Sequence, residues 1–74
     1  MTSTIDIIPH EQRLYLLWLA DGPQPATAHH PDLNSTEADT ARRSLLGRAM
    51  IHATQGGFWR LTDAGREWVE DQRS

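Results

Sequence analysis

Met50-Ile51-His52-Ala53-Thr54-Gln55-Gly56-Gly57-Phe58-Trp59-Arg60-Leu61-Thr62-Asp63-Ala64-Gly65-Arg66 is the stretch on which the fold turns. Two short runs, Met50 to Thr54 and Phe58 to Thr62, flank Gln55-Gly56-Gly57. A connection of this length with two glycines suits a tight turn that needs positive φ, so the stretch reads as a β-hairpin. Alternation puts Ile51 and Ala53 on one face, with Trp59 and Leu61 on the matching face of the second strand. Phe58, Arg60 and Thr62 then point the other way. Thr62 can cap a final helix running from Asp63 to about Gln72, with the Asp63 carboxylate favourably placed against the helix dipole. Gly65 has no Cβ, so that helix can lie close against a neighbour. Ala64, Trp68 and Val69 give it an inner face.

Upstream of the hairpin, Asn34-Ser35-Thr36-Glu37 has the spacing of a capping box, with Asn as the cap. A helix is expected from Ser35 to about Arg48. At the α-helical period Ala38, Ala41, Leu45 and Ala49 share one face, with Leu46 at its edge. The opposite face carries Thr36, Thr40, Arg43 and Gly47, flanked by Asp39 and Ser44. Further upstream, Pro9 stands where its missing N–H costs nothing, and His10 to Ala20 reads as a first helix. Its stripe is Leu14, Leu17 and Trp18, widened by Leu16 and Leu19, so contact from more than one side is expected. Asp21-Gly22-Pro23 ends it. Between these helices Pro23, Pro25 and Pro31 confine any further helix to about Ala26–His30; a short second helix and an extended loop both fit. Residues 1–8, in which Thr4-Ile5-Asp6-Ile7 alternates, read as an arm or short strand ahead of a single domain over 9–74.

The order is helix, weak helix, strong helix, hairpin, helix. Within it, Gly57-Phe58-Trp59-Arg60-Leu61-Thr62-Asp63-Ala64-Gly65-Arg66 spells glycine, aromatic, Leu-Thr, two residues, Gly-Arg. This resembles the wing of winged helix-turn-helix domains, as found in regulators of the MarR and PadR type and in the N-terminal domain of Mrr-type restriction proteins. The resemblance covers residues 34–70. It implies a small α+β fold with three helices, a two-stranded wing hairpin and a C-terminal helix. It also implies a DNA-binding surface on a small transcriptional regulator. On that analogy Thr36, Thr40, Arg43 and Ser44 would face bases in the major groove, while Gln55 and Arg60 on the wing would touch the backbone.

Composition bounds the alternatives. A chain of 74 residues with 38% hydrophobic content supports one small core, for which dimerisation is a natural source of stability. There is no cysteine, which excludes disulfides and thiolate metal sites. The histidines His10, His29, His30 and His52 have no zinc-site spacing, and His29 and His30 are expected to be solvated in their loop. No catalytic constellation appears at a usable spacing, so neither an enzyme nor a cofactor is expected. The apolar run Leu14 to Ala20 is too short to span a bilayer, and the N-terminus has no basic leader, so a cytoplasmic protein with no membrane partner is expected.

All seven basic residues are arginine and the net charge is −3. Only residues 34–61 carry a basic excess, with Arg42, Arg43, Arg48 and Arg60 against Glu37 and Asp39. An i, i+4 pair between Asp39 and Arg43 would compete with any role for Arg43 on DNA. Trp18, Trp59 and Trp68 are expected in the core, and Phe58 on the outward side of the hairpin can anchor a partner. Two functions follow: a double-stranded DNA-binding module, expected as a homodimer, or a protein-interaction winged helix acting as adaptor or inhibitor.

Overall fold

The computed structural model describes residues 8–73. In chain order the elements are α1 (His10–Ala20), β1 (Gln24–Pro25), α2 (Ser35–Gly47), β2 (Ile51–Ala53), β3 (Phe58–Leu61) and α3 (Asp63–Arg73). The three strands form one antiparallel sheet in the order β1-β3-β2. This is an α+β fold, broadly winged-helix-like, with its β2–β3 hairpin following directly on α2.

One element of the expected architecture is absent. No helix forms over Ala26–His30, so the described residues hold three helices rather than four, and β1 makes the expected two-stranded hairpin a three-stranded sheet. Pro23 and Pro25 explain the exchange. Proline lacks the N–H that a helix interior needs but is tolerated on an edge strand. Gln24 and Pro25 pair with Trp59 and Phe58, and the Ala26 N–H donates to the Gly57 carbonyl at 2.8 Å. One turn closes beyond it, from the Ala28 N–H to the Pro25 carbonyl at 2.9 Å.

The starts of α1 and α2 and the end of α2 fall where the sequence supplies the chemistry. At α1 the Pro9 carbonyl accepts from both Gln12 and Arg13 at 3.0 Å. At α2 the capping box is complete: the Glu37 N–H donates to Asn34 Oδ1 at 2.8 Å, and the Asn34 N–H donates to Glu37 Oε1 at 3.2 Å. The C-terminus of α2 is a Schellman motif. Met50 N–H donates to the Leu45 carbonyl and Ala49 N–H to the Leu46 carbonyl, both at 3.0 Å. The residue in the left-handed position is Ala49, with φ +58. Met50 and Leu45, the hydrophobic pair of that motif, are both buried.

The hairpin has the expected faces. Ile51 stands opposite Leu61, His52 opposite Arg60 and Ala53 opposite Trp59. Its turn closes through Gly57, at φ +83, whose N–H donates to the Thr54 carbonyl at 3.1 Å. Thr62 then joins three elements. Its hydroxyl donates to the Ala49 carbonyl at 2.5 Å and accepts the Gly65 N–H at 3.2 Å, capping α3 as expected. Its N–H donates to the Met50 carbonyl at 3.0 Å. A Cβ on Gly65 would lie 2.1 Å from that same carbonyl oxygen, so the close approach foreseen for this glycine is to backbone.

The core differs from the expected one in its aromatic content. Leu16, Leu45 and Ile51 are fully buried at its centre, with Tyr15, Leu19, Ala41 and Val69 around them. Trp18, Trp59 and Trp68 are only half-buried and pack against this cluster from outside. Ile8, assigned above to the arm, is a core residue; residues 1–7 of the arm lie outside the described residues. On α1 the buried stripe is Gln12, Tyr15, Leu16 and Leu19, while Leu14, Leu17 and Trp18 are half-buried. On α3 the inward residues are Gly65, Val69 and partly Trp68, and Ala64 is exposed.

Candidate functional site

The outward face of α2 presents the side chains singled out in the sequence. Thr36, Thr40 and Arg43 are exposed and, with Asp39, line one shallow depression. Ser44 is half-buried at the margin of this face, and its carbonyl accepts the Arg48 N–H at 3.0 Å. Gln55 is exposed in the β2–β3 turn. Arg60 is exposed but not beside these residues. It borders a groove between the C-terminal end of α1, β3 and α3, together with Leu19, Pro23, Leu61, Arg66 and Glu70.

The two carboxylates near this face have partners of their own. Glu37 is held in the capping box. Asp39 pairs with Arg42, three residues on, and not with Arg43 as the i, i+4 spacing allowed. Arg42 in turn lies over the Trp59 ring, its guanidinium carbon 5.7 Å from the ring centroid, a cation–π geometry. Among the described residues no hydrogen bond or ion pair engages the Arg43 side chain. Its guanidinium thus stands on the surface beside two hydroxyls.

His30 is the structurally decisive residue that the sequence reading misplaced. It is 6% exposed, not solvated. Its Nε2 lies 3.1 Å from the Leu14 carbonyl and its Nδ1 accepts the Asp32 N–H at 2.9 Å, which assigns the Nε2–H tautomer. The ring stacks near Tyr15 (centroids 6.3 Å apart) and tilts against Trp18 (4.9 Å), while Tyr15 and Trp18 meet edge to face at 5.6 Å. This cluster fastens the proline-rich connection to α1 and takes the place of a second helix over Ala26–His30. The available signal is the pair Tyr15 and Trp18, three residues apart on α1, an aromatic surface that needs a cover. His29, its neighbour, is exposed as expected.

Among the described residues no three histidine, aspartate or glutamate side chains come together as a metal site, and no helix is long and apolar enough to cross a membrane. No family model, curated protein or solved structure matches the chain.

Proposed function

We propose that this domain is a binding module that docks α2 against double-stranded DNA, with the Gln55 turn reaching the flanking backbone. The observation that carries this is the grouping of Thr36, Thr40 and Arg43 in one exposed depression, on the helix directly preceding a hairpin. Thr36 to Arg43 spans about 10 Å along the helix axis, the length of about three base-pair steps. Arg43 suits the O6 and N7 acceptors of guanine, and the threonines offer a hydroxyl and a methyl to neighbouring bases. Glu37 and Asp39, the charges most adverse to this contact, are already engaged by the cap and by Arg42. Arg60 is left out of this surface because it borders a different groove.

A protein-interaction role is the second reading. Its support is Phe58, 41% exposed on the hairpin, and Leu46, 42% exposed on α2. Titration of isotope-labelled protein with duplex DNA at low salt separates the two. Amide shifts at Thr36, Thr40, Arg43 and Gln55 are expected, with Arg43→Ala weakening binding by about 5- to 150-fold, the equivalent of 1–3 kcal/mol. An unshifted spectrum at low salt would rule DNA out and leave the protein-interaction role.

A further inference from the structure

We propose that two copies of this domain pair about a two-fold axis across the groove bordered by β3, α3 and the end of α1, the sheet face of each copy lying on the acidic helix of the other. The partner is argued from two complementary patches on the same chain. The first patch is the sheet face turned away from Trp59 and Leu61. Register places Pro25 beside Phe58 and His52 beside Arg60, and alternate residues of a strand share a face. All four are exposed, and Phe58 leaves 41% of its surface in solvent. An exposed aromatic ring beside an arginine is the composition of an interface anchor.

The second patch is on α3, where Glu67, Glu70 and Asp71 surround half-buried Trp68 in one shallow depression. One patch is aromatic and basic, the other aromatic and acidic. They also adjoin: Arg60 and Glu70 border the same groove, with Leu61 and Val69 in its lining and Arg66 on its basic side. Adjacency is what makes the pairing closed. A two-fold interface must meet itself, so each contact from one copy to the other occurs twice. Complementary patches on opposite sides of a molecule would build a ring or an open filament, whereas adjacent patches can meet each other twice across one two-fold axis. A standard interface covers about 800 Å² per copy, roughly a sixth of this chain's 5028 Å². For a core as small as this one, that burial is a sizeable gain.

The test is sedimentation velocity on the full chain, without DNA, up to millimolar concentration. The wild type is expected to dimerise with a concentration-dependent equilibrium. Arg60→Glu and Glu67→Arg each set like charges against each other at both ends of the interface, and each is expected to raise the dissociation constant at least about tenfold. Mixing the two variants restores opposite charges at both contacts, so the mixture is expected to dimerise again. Misfolding cannot produce that rescue. A wild type that stays monomeric, a dimer indifferent to either reversal, or variants that fail to recombine would each overturn the proposal. Arg60 and Glu67 lie outside the α2 depression, so this outcome is independent of whether the domain binds DNA.

Discussion

Ala49 adopts φ +58 at the end of α2, a region that costs an L-residue about 1–2 kcal/mol and costs glycine little. The Schellman hydrogen bonds and the buried Leu45–Met50 pair hold it there. Ala49→Gly is therefore expected to stabilise the domain by about 1 kcal/mol, raising the melting temperature by about 4–8 °C in a chain of this size. A thermal melt that falls instead would show that α2 does not end in this motif. Gly65 is the converse case. A methyl group there meets the Met50 carbonyl, which is backbone and already accepts from Thr62. Gly65→Ala is expected to destabilise by at least about 1–3 kcal/mol, visible as a lower denaturation midpoint with all three helices retained in the folded fraction. An unchanged midpoint would mean that α3 and the β2 entry do not approach as closely as described. Both residues belong to the tie through Thr62, whose hydroxyl serves two backbone groups at once.

Among the elements, the connection between α1 and α2 depends most on a single side chain. His30 satisfies both ring nitrogens and covers Tyr15 and Trp18. His30→Ala strips the Asp32 N–H of its acceptor and leaves a gap over α1, and is expected to cost about 1–3 kcal/mol. Amide exchange at Asp32 should accelerate while exchange in the β2–β3 hairpin changes far less; equal protection in wild type and variant would mean that the loop is held by something else. His29→Ala, at an exposed position, should leave both unchanged. On α2 the role of Arg42 is indirect. It occupies Asp39 and lies over Trp59 without facing the Thr36–Arg43 depression. If α2 docks on DNA, Arg42→Gln frees the Asp39 carboxylate beside that depression, and duplex affinity should fall although stability changes by no more than about 1 kcal/mol. A titration giving the wild-type dissociation constant would show that Asp39 is too far from the phosphates to matter.

At the scale of the whole molecule, charge decides how DNA could be held. The chain carries a net −3, and α3 places Glu67, Glu70 and Asp71 on the surface. An extended phosphate-binding footprint is therefore not available, and if α2 docks on DNA its affinity must rest on few backbone contacts. If α2 docks on DNA with the Arg43 guanidinium on a base and the neutral Gln55 on the backbone, few counterions are released, and log affinity should fall against log salt with a slope shallower than about −2. A slope near −6 or steeper would require a basic surface that the described residues do not form. Pairing through the sheet face would help here, because it covers acidic groups of α3.

Much of this architecture was legible in the order of residues, because it depends on near neighbours along the chain. Asn34 and Glu37 stand three apart, so the capping box and the start of α2 could be read directly. Gly56-Gly57 between alternating runs located the hairpin and its faces, and Thr62 with Gly65 marked the start of α3 and its close packing. The Thr36, Thr40 and Arg43 grouping followed from helical period alone. What required the folded chain depended on contacts between distant positions. The apolar stripe of α1 was wide enough to be covered from more than one side, and only the folded chain buries Tyr15, Leu16 and Leu19 while leaving Leu14, Leu17 and Trp18 half-buried beside the proline loop. His30 bonds a carbonyl sixteen positions away, so only that encounter makes a loop histidine a buried anchor. The same holds for β1, whose two residues have no strand signal and acquire one only when β3 offers them a partner. Local hydrogen bonding and periodicity are written into adjacent residues, whereas which surface is covered, and by what, is set by loop closure and packing across the whole molecule.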